Sequence, residues 1–253
     1  MEKQLSIPSE TAEKMPLNKY LSRAGVAGRR TAADFVRAGR VAVNGAIVTE
    51  PGFPVPEGAS VALDGVSVAS GNTPHIYVML NKPRGYVCTH SDPHADRKAI
   101  DLLRDVPGRL VAAGRLDKDS EGLLLFSNDG NFIHELSHPR YNICKTYLVT
   151  LDVPMPAGAV EKVTGEGVID GDERLKALVV EPVRPPRVWR FVLNEGKKRE
   201  IRRIAAVFGC RVRRLVRVKT GNLELGALPT GAWRYLSPEE VAKALEPGVN
   251  MAK

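Results

Sequence analysis

Apolar and polar residues alternate along this chain in two modules, a short leading one and a longer one behind it. Leu17, Tyr20, Leu21 and Ala24 recur at helical spacing, Pro16 suits a first turn and Gly25 a C-terminal cap. A second helix is predicted over residues 31–38 and stops at Gly39. Two β-branched runs follow, each broken by a turn pair: Asn44-Gly45 in R-V-A-V-N-G-A-I-V and Asp64-Gly65 in V-A-L-D-G-V-S-V. Each pair predicts a tight hairpin, because both turn residues tolerate positive φ. Residues 15–70 therefore read as two helices on a small sheet, preceded by a polar, mobile tail at residues 1–14. The stretch S-G-N-T-P, residues 70–74, reads as a linker to a second domain at residues 75–253.

The second domain opens with the buried strand I-Y-V-M-L-N-K-P-R-G-Y-V, ended by Pro83 and a turn at Gly85. Residues 92–103 are polar and then helical in pattern. The centre is residues 114–130, G-R-L-D-K-D-S-E-G-L-L-L-F-S-N-D-G, with apolar runs at Leu110–Ala113 and Leu123–Phe126. Asp117 thus sits on a tight connection between two buried strands. A carboxylate there is placed for chemistry, or else it solvates a turn together with Asp119 and Glu121, and spacing alone leaves both open. Farther on, Cys144–Leu151 is a strand with Lys145, Tyr147 and Val149 on one side. A loop rich in Gly, Asp and Glu leads to the strand V-W-R-F-V-L. Ile201, Ile204, Ala205 and Phe208 then trace one helical face, with Gly209 as the cap. Ser237-Pro238-Glu239-Glu240 begins a final helix that runs to about Leu245.

Charge adds a partner. The 253 residues carry a formal net charge of +8 and a pI near 9.5, which attracts a polyanion if the basic residues cluster. They do. The first module holds Lys19, Arg23, Arg29, Arg30, Arg37 and Arg40. Arg29 and Arg30 stand at a helix start, where the macrodipole disfavours cations by about 0.3 to 1 kcal/mol. Lys197, Lys198 and Arg199 repeat that placement before the later helix, and the next strand adds Arg211, Arg213, Arg214, Arg217 and Lys219. Phosphates gathered at both helix starts would offset the cost. A polynucleotide fits better than a membrane, because there is no long amphipathic helix. Cys88, Cys144 and Cys210 are far apart and in no paired spacing, so they suggest neither a disulfide framework nor a thiolate metal site, and a reducing cytoplasm fits best. The leading residues have no apolar stretch of the kind a signal peptide carries.

Two motifs mislead. His134 to His138, H-E-L-S-H, matches a zinc-peptidase pattern, yet Pro139 disfavours helical geometry at His138 and no third ligand stands downstream at helical spacing. D-K-D-S-E-G at Asp117–Gly122 starts like a calcium loop, but its twelfth position is Asn128 and Leu123–Phe126 fill positions that need oxygen ligands.

L-N-K-Y-L-S-R-A-G-V-A-G-R-R-T-A with G-R-V-A-V-N-G resembles the alpha-L RNA-binding domain. G-R-L-D-K-D-S-E-G, H-P-R-Y, K-T-Y-L-V, E-G-K-K-R-E-I-R-R and L-P-T-G-A-W-R-Y-L, in that order, resemble the RsuA and RluB type of ribosomal RNA pseudouridine synthase. The two together cover nearly all of residues 15–241. Ser120 stands where Thr is common, and Glu200 where Gln is common, the large-subunit branch being similar in carrying Glu. The resemblance implies an α+β chain: a small helix-helix-hairpin RNA-binding domain, then a catalytic domain with a mixed, largely antiparallel sheet flanked by helices. It implies a cofactor-free isomerisation of one ribosomal RNA uridine, on free RNA or on ribosome assembly intermediates, with no metal and no nucleotide cofactor. Glu200 tilts the substrate toward the large subunit. By the same resemblance Asp117 is the essential acid, Tyr147 the base-stacking aromatic and Arg202 the partner that keeps Asp117 ionised. Arg115 is expected to reach into the RNA near the vacated base. Lys19, Arg23, Arg29, Arg30, Arg37, Lys197, Lys198, Arg199 and Arg203 are expected on the RNA, with Arg203 expected as a backbone contact or solvated. A non-catalytic ribosomal RNA-binding or assembly protein is the alternative, but it would not need the G-R-L-D, K-T-Y and E-I-R-R set together.

Overall fold

The structure is a computed structural model and describes residues 15–68, 74–89, 96–183 and 187–248. The expected tail at 1–14 and all of the expected linker but Pro74 lie outside the described residues. The chain divides into two compact units between Pro74 and His75.

The first unit contains β1 (Met15–Pro16), α1 (Leu17–Arg23), α2 (Arg29–Arg37), β2 (Val41–Val43), β3 (Ala46–Val48), β4 (Pro54–Val55), β5 (Val61–Leu63) and β6 (Val66–Val68). Its main sheet has the order β3-β2-β5-β6, and β1 pairs with β4. Both predicted hairpins form, with positive φ at Asn44 (50°), Gly45 (81°), Asp64 (49°) and Gly65 (80°). That pair of left-handed residues matches the twist of the flanking strands. Leu17, Leu21, Ala32, Val36, Val41, Val43, Val55 and Val61 close a core between the helices and the sheet.

The second unit starts with β7 (Tyr77–Lys82), β8 (Val111–Ala113), β9 (Glu121–Ser127), α3 (Gly130–Ser137) and β10 (Lys145–Leu151). It continues with α4 (Ala159–Thr164), β11 (Val168–Asp170), β12 (Glu173–Leu175), β13 (Val179–Val183) and β14 (Val188–Leu193). It ends with α5 (Glu200–Val207), β15 (Val212–Thr220), β16 (Leu223–Glu224), β17 (Trp233–Tyr235) and α6 (Pro238–Leu245). The sheet has the order β13-β14-β10-β15-β9-β7-β17 and is antiparallel except where β15 meets β9.

The apolar runs of β7 and β9 are continuous because both faces of the sheet are covered there. Met79, Leu123 and Leu125 pack with Phe132 and Leu136 of α3 on one face, while Val78, Leu80, Leu124 and Phe126 meet Leu103, Val106, Leu110 and Leu116 on the other. A third cluster lies where Val149, Leu151, Trp189 and Phe191 receive Ile201, Ile204 and Ala205 of α5. The segment read as a Gly, Asp and Glu loop is more ordered than expected, since it holds α4, the β11–β12 hairpin and β13. Its apolar residues Ala159, Val163, Val168, Leu175, Ala177 and Val180 are spaced too widely among acids and glycines to show a period, yet all are buried.

Candidate active site

The connection from β8 to β9, residues 114–120, is held through its main chain. Gly85 N donates to Lys118 O (2.7 Å), Leu116 N to Cys88 Sγ (3.3 Å) and Ser120 N to Asp117 O (3.0 Å). Lys82 Nζ donates to Ser120 O (2.7 Å) and Pro83 O (2.9 Å), and Arg202 Nη2 to Asp119 O (3.0 Å). Lys82 is fully buried, and burial pushes its ammonium below the usual lysine range despite the acids Glu121 and Asp119. A buried cation on two carbonyls is a costly fastening, used here to fix the turn that presents Asp117. The Asp117 side chain remains 35% exposed.

Here the geometry departs from the sequence expectation. Arg202 does not ion-pair with Asp117. Its Nη2 lies 3.1 Å from Asp119 Oδ2 and its Nη1 donates to Val212 O at 3.1 Å, which ties α5 to the turn and to β15. The cation on Asp117 is Arg199, at 3.9 Å, and Arg199 also grips both oxygens of Asp119 at 3.2 Å. Arg199 reaches back because it caps α5 in the left-handed region, φ 53°. A non-glycine residue there carries roughly 1 to 3 kcal/mol of strain, typical of functional sites. Burial pushes the Asp119 carboxyl up, but Arg199 and Arg202 bring it net below the usual carboxylate range. Burial depresses the Arg202 guanidinium, and the charges of Asp119 and Asp117 oppose that. Arg202 thus still senses Asp117 electrostatically.

Tyr147 is half-buried on β10 and packs against the cluster that contains Leu116, the neighbour of Asp117. In register it stands opposite Arg217 of β15, and Arg217 stands opposite Gly122 of β9, so one row crosses three strands below the turn. A recess lined by Gly85, Val87, Asp96, Arg97 and Lys118 opens beside the turn.

Lys19, Arg23, Arg29, Arg30 and Arg37 are exposed on the first unit, Arg29 and Arg30 at the first turn of α2 as expected; Arg37 pairs with Asp34 at 2.8 Å. In the second unit Arg115 and Lys198 are exposed. Lys197 differs, since it donates to Arg174 O at 2.7 Å and pairs with Glu195 at 2.8 Å. Arg203 differs more: it is bound to Asp170 and Glu173 of the β11–β12 hairpin, so its charge is already met by two carboxylates. Glu200 is buried and accepts from Lys197 N at 3.1 Å, tying down the turn that leads into α5, and burial pushes its carboxyl up. His138 lies off the end of α3 in an extended conformation, φ −86° and ψ 128°, as Pro139 predicts. Sequence reasoning missed Lys82 and Arg84, the latter exposed and close enough to Arg202 to lower its proton affinity. The Lys that ends the apolar run before Pro83 was the available signal.

A carboxylate on a braced turn, faced by guanidiniums and backed by an aromatic strand, suits chemistry at a sugar carbon. A family model described as RNA pseudouridylate synthase matches residues 76–207, from β7 through α5, and an S4 domain model matches residues 15–61. The chain belongs to the RNA pseudouridylate synthase family. It is 36% identical over 233 residues to ribosomal small subunit pseudouridine synthase A of Escherichia coli, covering 91% of this chain and 100% of that one. It is 33% identical over 231 residues to ribosomal large subunit pseudouridine synthase B of Bacillus subtilis, covering 90% and 94%. An uncharacterised RNA pseudouridine synthase of Mycobacterium leprae is 39% identical over 231 residues, covering 89% and 90%. A crystal structure of a pseudouridylate synthase superposes with a TM-score of 0.65 at 27% identity, covering 91% and 99%. No described helix is long and apolar enough to cross a membrane.

Proposed function

We propose that this chain isomerises a uridine of ribosomal RNA to pseudouridine, with Asp117 as the essential carboxylate. The observation that carries the reading is the main-chain bracing of residues 114–120, which fixes the turn that presents the partly exposed carboxylate of Asp117. The C1′–N1 bond breaks, the freed uracil turns, and carbon 5 bonds C1′ in its place. Asp117 acts at the sugar, as nucleophile on C1′ or as base at C2′. A nucleotide flipped into the site drives water from Asp117, and a carboxylate so desolvated stays charged only beside a cation. Arg199 supplies that cation in the free enzyme. When phosphates draw Arg199 away, Arg202 serves, already fixed at Asp119. Tyr147 is the aromatic platform for the base. Lys19, Arg23, Arg29, Arg30, Arg37, Arg115, Lys197, Lys198 and Arg199 meet the RNA, while Arg203 holds its hairpin.

The ribosomal substrate is supported by the relatives named for both subunits, and Glu200 favours the large one. Work on ribosomal RNA supports a cytoplasmic location. The test is incubation with unmodified ribosomal RNA and with assembly intermediates, scoring pseudouridine. Wild type should form it, and Asp117→Asn should not, with RNA affinity kept within about threefold because phosphates dominate binding. No product from wild type on either substrate would leave a binding role alone. Mapping pseudouridine in both ribosomal RNAs, with and without the gene, decides the subunit.

A further inference from the structure

Lys145 is a mostly buried cation that, among the described residues, has no carboxylate or carbonyl partner. Two other buried cations of this chain have them: Lys82 holds two carbonyls and Arg202 a carboxylate and two carbonyls. Lys145 lies two residues before Tyr147 on β10 and so shares its face of the sheet. Arg217, opposite Tyr147, is only 5% exposed; it donates from Nε to Leu123 O at 2.6 Å and forms no ion pair among the described residues. Two cations therefore flank the tyrosine with nothing anionic against them. Burial, and then the charge of Arg217, lower the Lys145 ammonium to about 8. The groups facing it are Arg217 and Thr220 from β15, Leu193 from β14, Tyr147 on its own strand and Cys144 just before it; the Cys144 thiol opposes the lowering only in part, and no carboxylate does. An unpaired buried charge is costly, and an anion that exists only during turnover would relieve it.

The reaction makes one. When C1′–N1 breaks, the bonding pair stays with the base, giving a uracilate whose charge spreads over N1, O2 and O4. Asp117 meanwhile bonds C1′ or takes the proton from C2′. The base loses its charge when carbon 5 bonds C1′, the step at which the Asp117 oxygen leaves C1′ or Asp117 returns the proton to C2′; a proton then leaves carbon 5 and one is taken up at N1. We propose that Lys145 is a further catalytic residue, its ammonium, backed by Arg217, meeting a uracil oxygen and stabilising the uracilate as the glycosidic bond breaks. This rests on the placement of the sugar at Asp117 and the base at Tyr147.

The experiment uses single-turnover kinetics with ribosomal RNA transcribed with uridine or with 5-fluorouridine, whose more acidic base needs less help to leave. The readout is loss of the N1-linked nucleoside at the modified position. Lys145→Met should slow the uridine substrate about 100-fold and the fluorinated one less than about 10-fold, with RNA affinity unchanged. The wild-type rate should fall above about pH 8 as the ammonium deprotonates. In Lys145→Arg that fall should move beyond about pH 10, because a guanidinium keeps its proton. Equal losses on the two substrates, or a wild-type rate flat from pH 7 to about 9.5, would overturn the assignment. If Lys145→Met fails to fold, the arginine variant and the wild-type profile decide alone. Asp117→Asn separates the readings: should it still turn over, the placement at Asp117 is wrong, whereas a dead Asp117→Asn beside a fully active Lys145→Met removes only this inference.

Discussion

Gly122 is where the turn bearing Asp117 joins the rest of the sheet, and replacing it with alanine should separate the two. It lies in the only parallel pairing of the main sheet among the described residues, opposite Arg217, at φ +104°. An added Cβ would fall on the carbonyl oxygen of Arg217 and within 2.7 Å of its backbone nitrogen, where about 3.5 Å is comfortable. Backbone at that φ is nearly closed to residues with a Cβ, at roughly 1 to 3 kcal/mol. Relieving the overlap means parting β9 from β15, which leaves buried peptide groups unpaired at about 1 to 3 kcal/mol each. With one such group lost the sum is roughly 2 to 6 kcal/mol, a large share of the 5 to 15 typical of a domain. Urea denaturation of Gly122→Ala, followed by tryptophan fluorescence, measures it. Gly114→Ala is the control, since Gly114 has φ +81° with nothing near its would-be Cβ and should lose only the strain, about 1 kcal/mol. Equal losses for both, or under 1 kcal/mol for Gly122→Ala, would refute the steric argument. Activity should follow stability in Gly114→Ala and fall further than stability in Gly122→Ala, because one of the parted strands carries Arg217 and the other follows directly on the turn that bears Asp117.

Lys145→Met should stabilise the protein at pH 7 by about 2 to 3 kcal/mol, while it slows catalysis. The folded ammonium sits near 8 against 10.5 for the free side chain, so between those values the unfolded chain binds more protons and wild-type stability rises with pH. Chemical denaturation at pH 7 and 10 should show that rise in wild type and lose its Lys145 share in the variant. Arg203→Met should lower the melting temperature and leave RNA affinity unchanged, whereas Lys198→Met should do the reverse; filter binding and a thermal melt separate them. Arg29→Gln with Arg30→Gln should weaken RNA binding and flatten the slope of log affinity against log salt by about 2, which a titration from low to high salt reads directly.

What the sequence disclosed was local, and what it hid was contact between distant residues. Asn44-Gly45 and Asp64-Gly65 announce their hairpins because positive φ is a property of two adjacent residues. Ile201, Ile204 and Ala205 announce α5 because a helix repeats within one turn. Asp117 was visible as an acid between two apolar runs. The exchange of Arg199 for Arg202 was not, since it depends on one left-handed residue at the cap of α5, where the pattern E-G-K-K-R-E-I-R-R reads only as basic. Arg203 follows the same rule: its partners lie 30 and 33 residues away, in a segment whose strands the acids and glycines concealed.

The exchange also bears on how the site is switched on. Asp119 lies between two arginines, and Asp117 receives only the longer contact from Arg199. Arg202 is anchored by carbonyls on both sides and has 13% of its side chain exposed, so it stays where it is. Arg199 is 44% exposed, strained, and free of carbonyl contacts among the described residues, so it is the member that RNA phosphate can take. Arg199→Met should therefore weaken RNA binding and raise KM while kcat stays within about threefold, since Arg202 keeps its charge beside the carboxylates. Arg202→Met should lower kcat by at least about 100-fold with little change in RNA affinity. If the two variants lose kcat equally, the division of labour between the arginines is wrong and both act on Asp117 at once.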